Sequence, residues 1–224
     1  MIWILFIGIA LLSYAVQANL QSKFKRFSRE PLASGLTGRE VAEKMLHDNG
    51  IYNVTVISTP GQLTDHYNPT NQTVNLSEGV FNSTSAAAVA AHECGHAVQH
   101  ATAYGPLRLR SALVPVVSMA SQVVSWILLA GILLVQTFPA LLLFGIGLFA
   151  MTTLFSVITL PVEIDASRRA TVWLQRAGIT SNHEQPMAVS ALRSAAYTYV
   201  VAALSSLATL IYYVLIFMGS QRDE

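Results

Sequence analysis

His92-Glu93-Cys94-Gly95-His96 is the stretch from which the rest of this chain is read. It fits H-E-x-x-H, a zinc-binding pattern. On an α-helix, positions i and i+4 stack on one face, so both imidazoles can reach a single ion. Glu93 follows the first ligand, close to the metal without binding it, where it can take a proton from an attacking water. The upstream run Ser85-Ala86-Ala87-Ala88-Val89-Ala90-Ala91 is strongly helix-forming. The plain alternative is a surface helix with two histidines and a solvated glutamate. Two imidazoles do not complete a catalytic zinc site, which takes three protein ligands and an open position. The third must come from elsewhere in the chain.

Composition narrows the setting. The chain has 224 residues, 53% hydrophobic and 11% charged, with mean hydropathy +0.48. That is too apolar for an ordinary soluble domain. Residues 1–22, 111–162 and 194–221 carry no charged side chain. The first and third runs are long enough for one membrane span each, and the middle run for two. A net charge of +1 without an extended basic tract argues against nucleic acid as a partner. Cys94 is the only cysteine, so no intrachain disulfide forms, and its reading is a small buried apolar residue.

In chain order, residues 1–18 read as a retained membrane anchor. The positive residues Lys23, Lys25, Arg26 and Arg29 follow the apolar run instead of preceding it, unlike a signal peptide, and place residue 23 on the cytoplasmic side. Residues 19–110 form a cytoplasmic α+β region. Thr37-Gly38-Arg39-Glu40 is a capping box opening a helix that stops at Asn49-Gly50. Tyr52-Asn53-Val54-Thr55-Val56-Ile57 and Thr73-Val74-Asn75-Leu76 read as strands, the second offered as an edge for an extended peptide substrate. Residues 111–160 are a transmembrane hairpin broken at Gln136-Thr137-Phe138-Pro139. Pro161 then starts a new cytoplasmic helical segment, 161–193. Residues 194–218 are the last span. The expected fold is mainly α and membrane-bound, with four transmembrane helices and a small cytoplasmic zincin-like α+β unit carrying the H-E-x-x-H helix.

Two spans after the metal helix return the chain to the face it left, so Glu163 emerges on the side of His92 and His96. Glu163 is therefore the chosen third ligand. Asp165 is placed to orient a ligand imidazole through its other nitrogen. In the alternative, Glu163 and Asp165 only neutralise Arg168 and Arg169 on a solvated helix. His100 continues the helical face of His96, but three ligands over two turns would spread about 12 Å, too far for one ion. His66 is a loop histidine, with a structural role or an oxyanion-binding one.

The chain resembles the bacterial membrane-bound neutral zinc metallopeptidases of the YugP-like type. The resemblance rests on Leu63-Thr64-Asp65-His66-Tyr67-Asn68-Pro69, on Leu76-Ser77-Glu78-Gly79-Val80 and on residues 86–99 around H-E-x-x-H. It also rests on Leu160-Pro161-Val162-Glu163-Ile164-Asp165-Ala166-Ser167-Arg168-Arg169-Ala170. It implies a membrane-embedded zinc peptidase, and with the placement of the basic residues the expectation is a multi-pass metalloendopeptidase of the cell's inner membrane with its active site on the cytoplasmic side. His92 and His96 would be ligands, Glu93 the base, and Glu163 the third ligand. The implied partners are the lipid bilayer and a peptide or protein substrate, membrane-associated ones included. The chain is also similar to membrane gluzincins, which carry an aspartate four positions after the glutamate ligand; here Asp165 comes two after. Competing readings are a non-catalytic zinc-binding membrane scaffold, a metal transporter and an intramembrane protease. A transporter would need ionisable groups within the spans. An intramembrane protease would need H-E-x-x-H inside a span, and the apolar run before His92 is far shorter than the roughly twenty residues a span takes.

Overall fold

The computed structural model describes residues 2–27 and 30–221; Met1 of the expected anchor and Arg29 of the basic cluster lie outside the described residues. The element order is α1 (Ile2–Phe27), α2 (Gly38–Asp48), β1 (Thr55–Thr59), β2 (His66–Asn68), β3 (Thr73–Ser77), α3 (Glu78–Phe81), α4 (Ala87–Ala101), α5 (Gly105–Leu133), α6 (Pro139–Arg176) and α7 (Gln185–Ser220). The chain is mainly helical with one small sheet. It divides into two compact units: Met1–Leu107 with Pro161–Thr198, and Arg108–Leu160 with Tyr199–Glu224.

In the first unit, α2 forms as the sequence dictates. The Thr37 hydroxyl accepts from the Glu40 amide, and the Glu40 carboxylate accepts from the Thr37 amide, so two otherwise unpaired donors are satisfied. Asn49 caps the other end, and Gly50 follows at φ +71°, left-handed backbone that glycine adopts without cost. Val41, Ala42, Met45 and Leu46 recur at helical spacing and are all buried. They pack in one core with Ala87, Ala90, Ala91, Cys94 and Ala97 of α4, Val74 and Leu76 of β3, and Ala170 and Leu174 of α6.

The sheet order is β1-β3-β2, with β1 parallel and β2 antiparallel to β3. Val74 and Leu76 point to the core face. Asn75 and Ser77, on the other face, are buried and hydrogen-bonded: Asn75 donates to His66 and Thr73 oxygens, and Ser77 donates to Asp65 through both its amide and its hydroxyl. Two strand expectations are corrected. The first strand runs from Thr55 to Thr59, because its register against Thr73–Ser77 decides which residues pair. And β3 is the central strand, paired on both sides, so it offers no edge to a substrate.

The charge-free runs mark apolar stretches and not helix limits. α5 starts at Gly105, ahead of Arg108 and Arg110, and α6 runs unbroken through Pro161. Pro161 was expected to begin a segment. A proline inside a helix lacks its N–H and disfavours the turn before it, but here helical backbone continues on both sides.

Among the described residues, α5, α6 and α7 are long and apolar enough to cross a membrane. Within the second unit, Val124, Leu128, Leu142 and Ile146 form a core. At Gly131 an added methyl would sit 2.6 Å from the Leu142 Cα, so this helix crossing needs glycine. Thr153 and Ser206 share a hydrogen bond at 2.7 Å. Many large apolar side chains, such as Trp126, Leu133 and Phe144, stay exposed, as lipid-facing residues would.

Because Met45 is 1% exposed and faces α4, Met45→Ala should cost about 2–5 kcal/mol of stability. Lys44→Ala, on the outer face, should stay within about 0.5 kcal/mol. Denaturant unfolding of the purified protein compares the two; equal midpoints would mean that α2 does not anchor the core.

Candidate metal centre

The site is built by α4 and by the residues of α6 that follow Pro161, all within the first unit. One side of α4 is made of small apolar residues packed on α2. The other carries His92 and His96, one turn apart, with ring centroids 4.9 Å apart and planes nearly perpendicular. Glu163, 3% exposed, points its carboxylate at both rings. Its Oε2 lies 3.3 Å from His92 Nε2 and 3.7 Å from His96 Nε2.

These three residues form a group whose ligand atoms all lie within 4.8 Å of one another. Zinc bonds of about 2.0–2.2 Å place the donors of a tetrahedral site about 3.3–3.6 Å apart. The spacing and the two-imidazole, one-carboxylate donor set therefore fit a zinc ion with modest adjustment. The electrostatics agree. Burial alone would lower the affinity of His96 for a proton. The close Glu163 carboxylate and the negative charge of Glu93 outweigh it, and the ring is raised above the ordinary imidazole value. The pocket attracts positive charge.

The approach of the two helices depends on Gly95. A methyl added there would meet the Ala166 carbonyl oxygen at 2.6 Å and its Cα at 3.1 Å. The second x of H-E-x-x-H is thus the point where α6 backbone touches α4.

Both imidazoles are held from behind. Ser167 Oγ lies 3.1 Å from His92 Nδ1. Ser167 stands four residues past Glu163, the position where a gluzincin carries aspartate. His96 Nδ1 meets Gln99 Oε1 at 3.0 Å. Asp165 does not reach an imidazole directly: its Oδ2 accepts from Gln99 Nε2 at 2.9 Å and from Arg169 Nε at 2.6 Å. Sequence reasoning missed Gln99 and Ser167. Their signals were present as spacing, i+3 from His96 and i+4 from Glu163, but only the docking of α4 on α6 gives those positions partners.

Glu93 is 8% exposed, on the flank of the same helix. His100 lies outside the group of three; its Nδ1 bonds the Tyr67 hydroxyl at 2.8 Å. His66, expected in a loop, is the first residue of β2, paired with Asn75 of β3, and its Nδ1 bonds the Thr64 carbonyl. Cys94 is fully buried against Ala42, and burial pushes its thiol well above the usual range, which leaves it unreactive.

Comparison with known proteins agrees with this geometry. The model of a family described as "Putative neutral zinc metallopeptidase" matches residues 2–218. The chain is similar to "Putative membrane protease YugP" of Bacillus subtilis (strain 168), 44% identical over 217 residues, which cover 95% of this chain and 94% of that protein. No solved structure matches it.

The Gly95 contact carries a test. Gly95→Ala should force α4 away from α6 and weaken zinc retention about 10–100-fold, the scale of losing a ligand's supporting contact. Gly79→Ala, where an added methyl meets nothing within 4 Å, should leave zinc retention unchanged. Chelator competition on the purified variants measures both.

Proposed function

This chain belongs to the neutral zinc metallopeptidase family just described, and from that premise we propose that it is a membrane-bound zinc metalloendopeptidase of gluzincin type that hydrolyses peptide bonds. The observation that carries the reading is the convergence of Glu163 on His92 and His96. These three side chains would hold a zinc ion. When bound, the ion supplies Lewis acidity, making water easier to deprotonate and polarising a carbonyl. The chain's own residues do the rest. Glu93, next to both ligands and largely shielded from solvent, accepts the proton of the attacking water and passes it to the leaving amine. Ser167 and Gln99 keep the two rings oriented.

The membrane arrangement belongs to the same proposal. α5, α6 and α7 cross the bilayer, and α1 is a fourth span. Lys23, Lys25 and Arg26 at the C-terminal end of α1, and Arg168, Arg169 and Arg176 beyond the third ligand on α6, favour the cytoplasmic side for both segments. The protein is then a multi-pass inner-membrane enzyme with its site facing the cytoplasm. Its substrates are peptides or proteins that reach that face, membrane-associated ones included.

Purified protein should contain zinc and cleave a quenched peptide library, and a chelator should abolish the cleavage. Glu93→Gln should keep the zinc and lose about 10²–10⁴-fold in turnover, since an amide accepts no proton. Undiminished turnover in that variant would remove Glu93 from the chemistry. Glu163→Gln should release zinc as well as activity. Zinc binding without any hydrolysis would leave a metal-binding scaffold in place of an enzyme.

Topology is read separately. In a Cys94→Ser background, Ser22→Cys should resist an impermeant thiol reagent on intact cells, while Gln221→Cys should label. Both positions are exposed on the protein. Labelling at Ser22→Cys would invert the proposed orientation.

A further inference from the structure

We infer that Gln99 is a positioning residue that holds His96 as its Nδ1–H tautomer, leaving Nε2 bare at the metal centre, and that Asp165 acts on the site only through Gln99. The inference rests on the metal-binding reading above, but its first observable does not.

Proton inventory carries the argument. A glutamine side chain has one acceptor oxygen and two N–H donors. Gln99 is fully buried, so no solvent competes for them. Its Nε2 lies 2.8 Å from the Val162 carbonyl oxygen and 2.9 Å from Asp165 Oδ2. A carbonyl oxygen only accepts. The Asp165 carboxylate is held as an acceptor by Arg169 Nε at 2.6 Å, and the Arg169 guanidinium also lies over the Tyr104 ring. Both Gln99 protons are therefore committed to α6. Turning the amide over would set its oxygen against two acceptors, a buried mismatch costly enough to exclude that orientation.

The orientation of Gln99 then fixes that of His96. Gln99 Oε1 faces His96 Nδ1 at 3.0 Å, so Nδ1 must supply the proton. The neutral ring has one proton, so Nε2 keeps its lone pair, and Nε2 is the atom that faces Glu163 at 3.7 Å. His92 is treated differently. Its Nδ1 partner is the Ser167 hydroxyl, which can donate or accept and so imposes no tautomer. The pre-set ligand is His96. The chain Arg169–Asp165–Gln99–His96 runs from the surface of α6 to the metal-binding atom.

The experiment uses the full chain in detergent, labelled with 15N-histidine. Imidazole nitrogen shifts distinguish N–H from bare nitrogen, and a His96→Asn variant identifies the His96 signals. At alkaline pH without metal, His96 should show a proton on Nδ1 and none on Nε2. Gln99→Leu, close in volume, should give a tautomer mixture and about 10–100-fold weaker zinc binding by chelator competition. Asp165→Asn should weaken zinc in the wild-type background and add nothing in the Gln99→Leu background. Gln99→Glu, which can accept from Nδ1 but cannot donate to Val162 and Asp165, provides a second variant if Gln99→Leu fails to fold, and it too should weaken zinc. A proton on His96 Nε2 in the wild type overturns the inference. So does wild-type zinc affinity in the Gln99 variants, or an Asp165→Asn effect that persists in full without Gln99. Wild-type protein that binds no zinc while His96 shows the expected tautomer would sink the metal reading and leave the Gln99 assignment standing.

Discussion

A carboxylate withdrawn from water needs positive charge or donors beside it, and the site depends on meeting that need at Glu163. An ionised group at 3% exposure without partners would cost several kcal/mol. Here the partners are imidazoles on another helix, so α4 must present one face to α6 and hold it there. Gly95 permits the approach, and the small side of α4 makes it rigid from behind. Ala90, Ala91, Cys94 and Ala97 let α2 pack close with Val41, Met45 and Leu46. The metal helix is gripped between an apolar contact and a polar one.

An ion bound by this group would be coupled to the fold. Glu163 joins the two imidazoles only when α4 and α6 are docked, because it comes from a segment far from them in the chain. An ion that binds only the docked form stabilises it by mass action. The proton affinity of His96 is raised by the same carboxylates, against the effect of burial. Local helix propensity places the imidazoles, but only long-range packing makes them a site.

What could be read from sequence followed from that distinction. The capping box at Thr37 and Glu40, the stop at Asn49-Gly50 and the stacking of His92 on His96 are local facts of spacing, and the structure repeats them. The meeting of Glu163 with those rings was inferred from membrane topology and family likeness, an indirect route. His66 was read as a loop residue because the three residues of β2 become a strand only by pairing with β3. Pro161 was read as a boundary because proline usually makes one, whereas α6 tolerates it. Asp165 was placed against an imidazole because acidic groups often stand there. The glutamine that actually intervenes has no reactive signature, and nothing in its neighbours announces a buried hub.

The contacts between α4 and α6 suggest how such a motif is better read. On α4 the residues facing α6 are His92, Gly95, His96 and Gln99, spaced i, i+3, i+4, i+7, which is one stripe of a helix. On α6 their counterparts are Val162, Glu163, Asp165, Ala166 and Ser167, from little more than one turn. Glu163 meets the two histidines, Ala166 meets Gly95, Ser167 meets His92, and Val162 and Asp165 meet Gln99. The H-E-x-x-H pattern captures only the two imidazoles of that stripe. Its glycine and the glutamine beyond it are packing and hydrogen-bonding positions of the same face. The placement of the imidazoles and the packing of the helix are thus specified by a single periodicity. Glu93, one residue off the stripe, sits at its flank instead of between the helices.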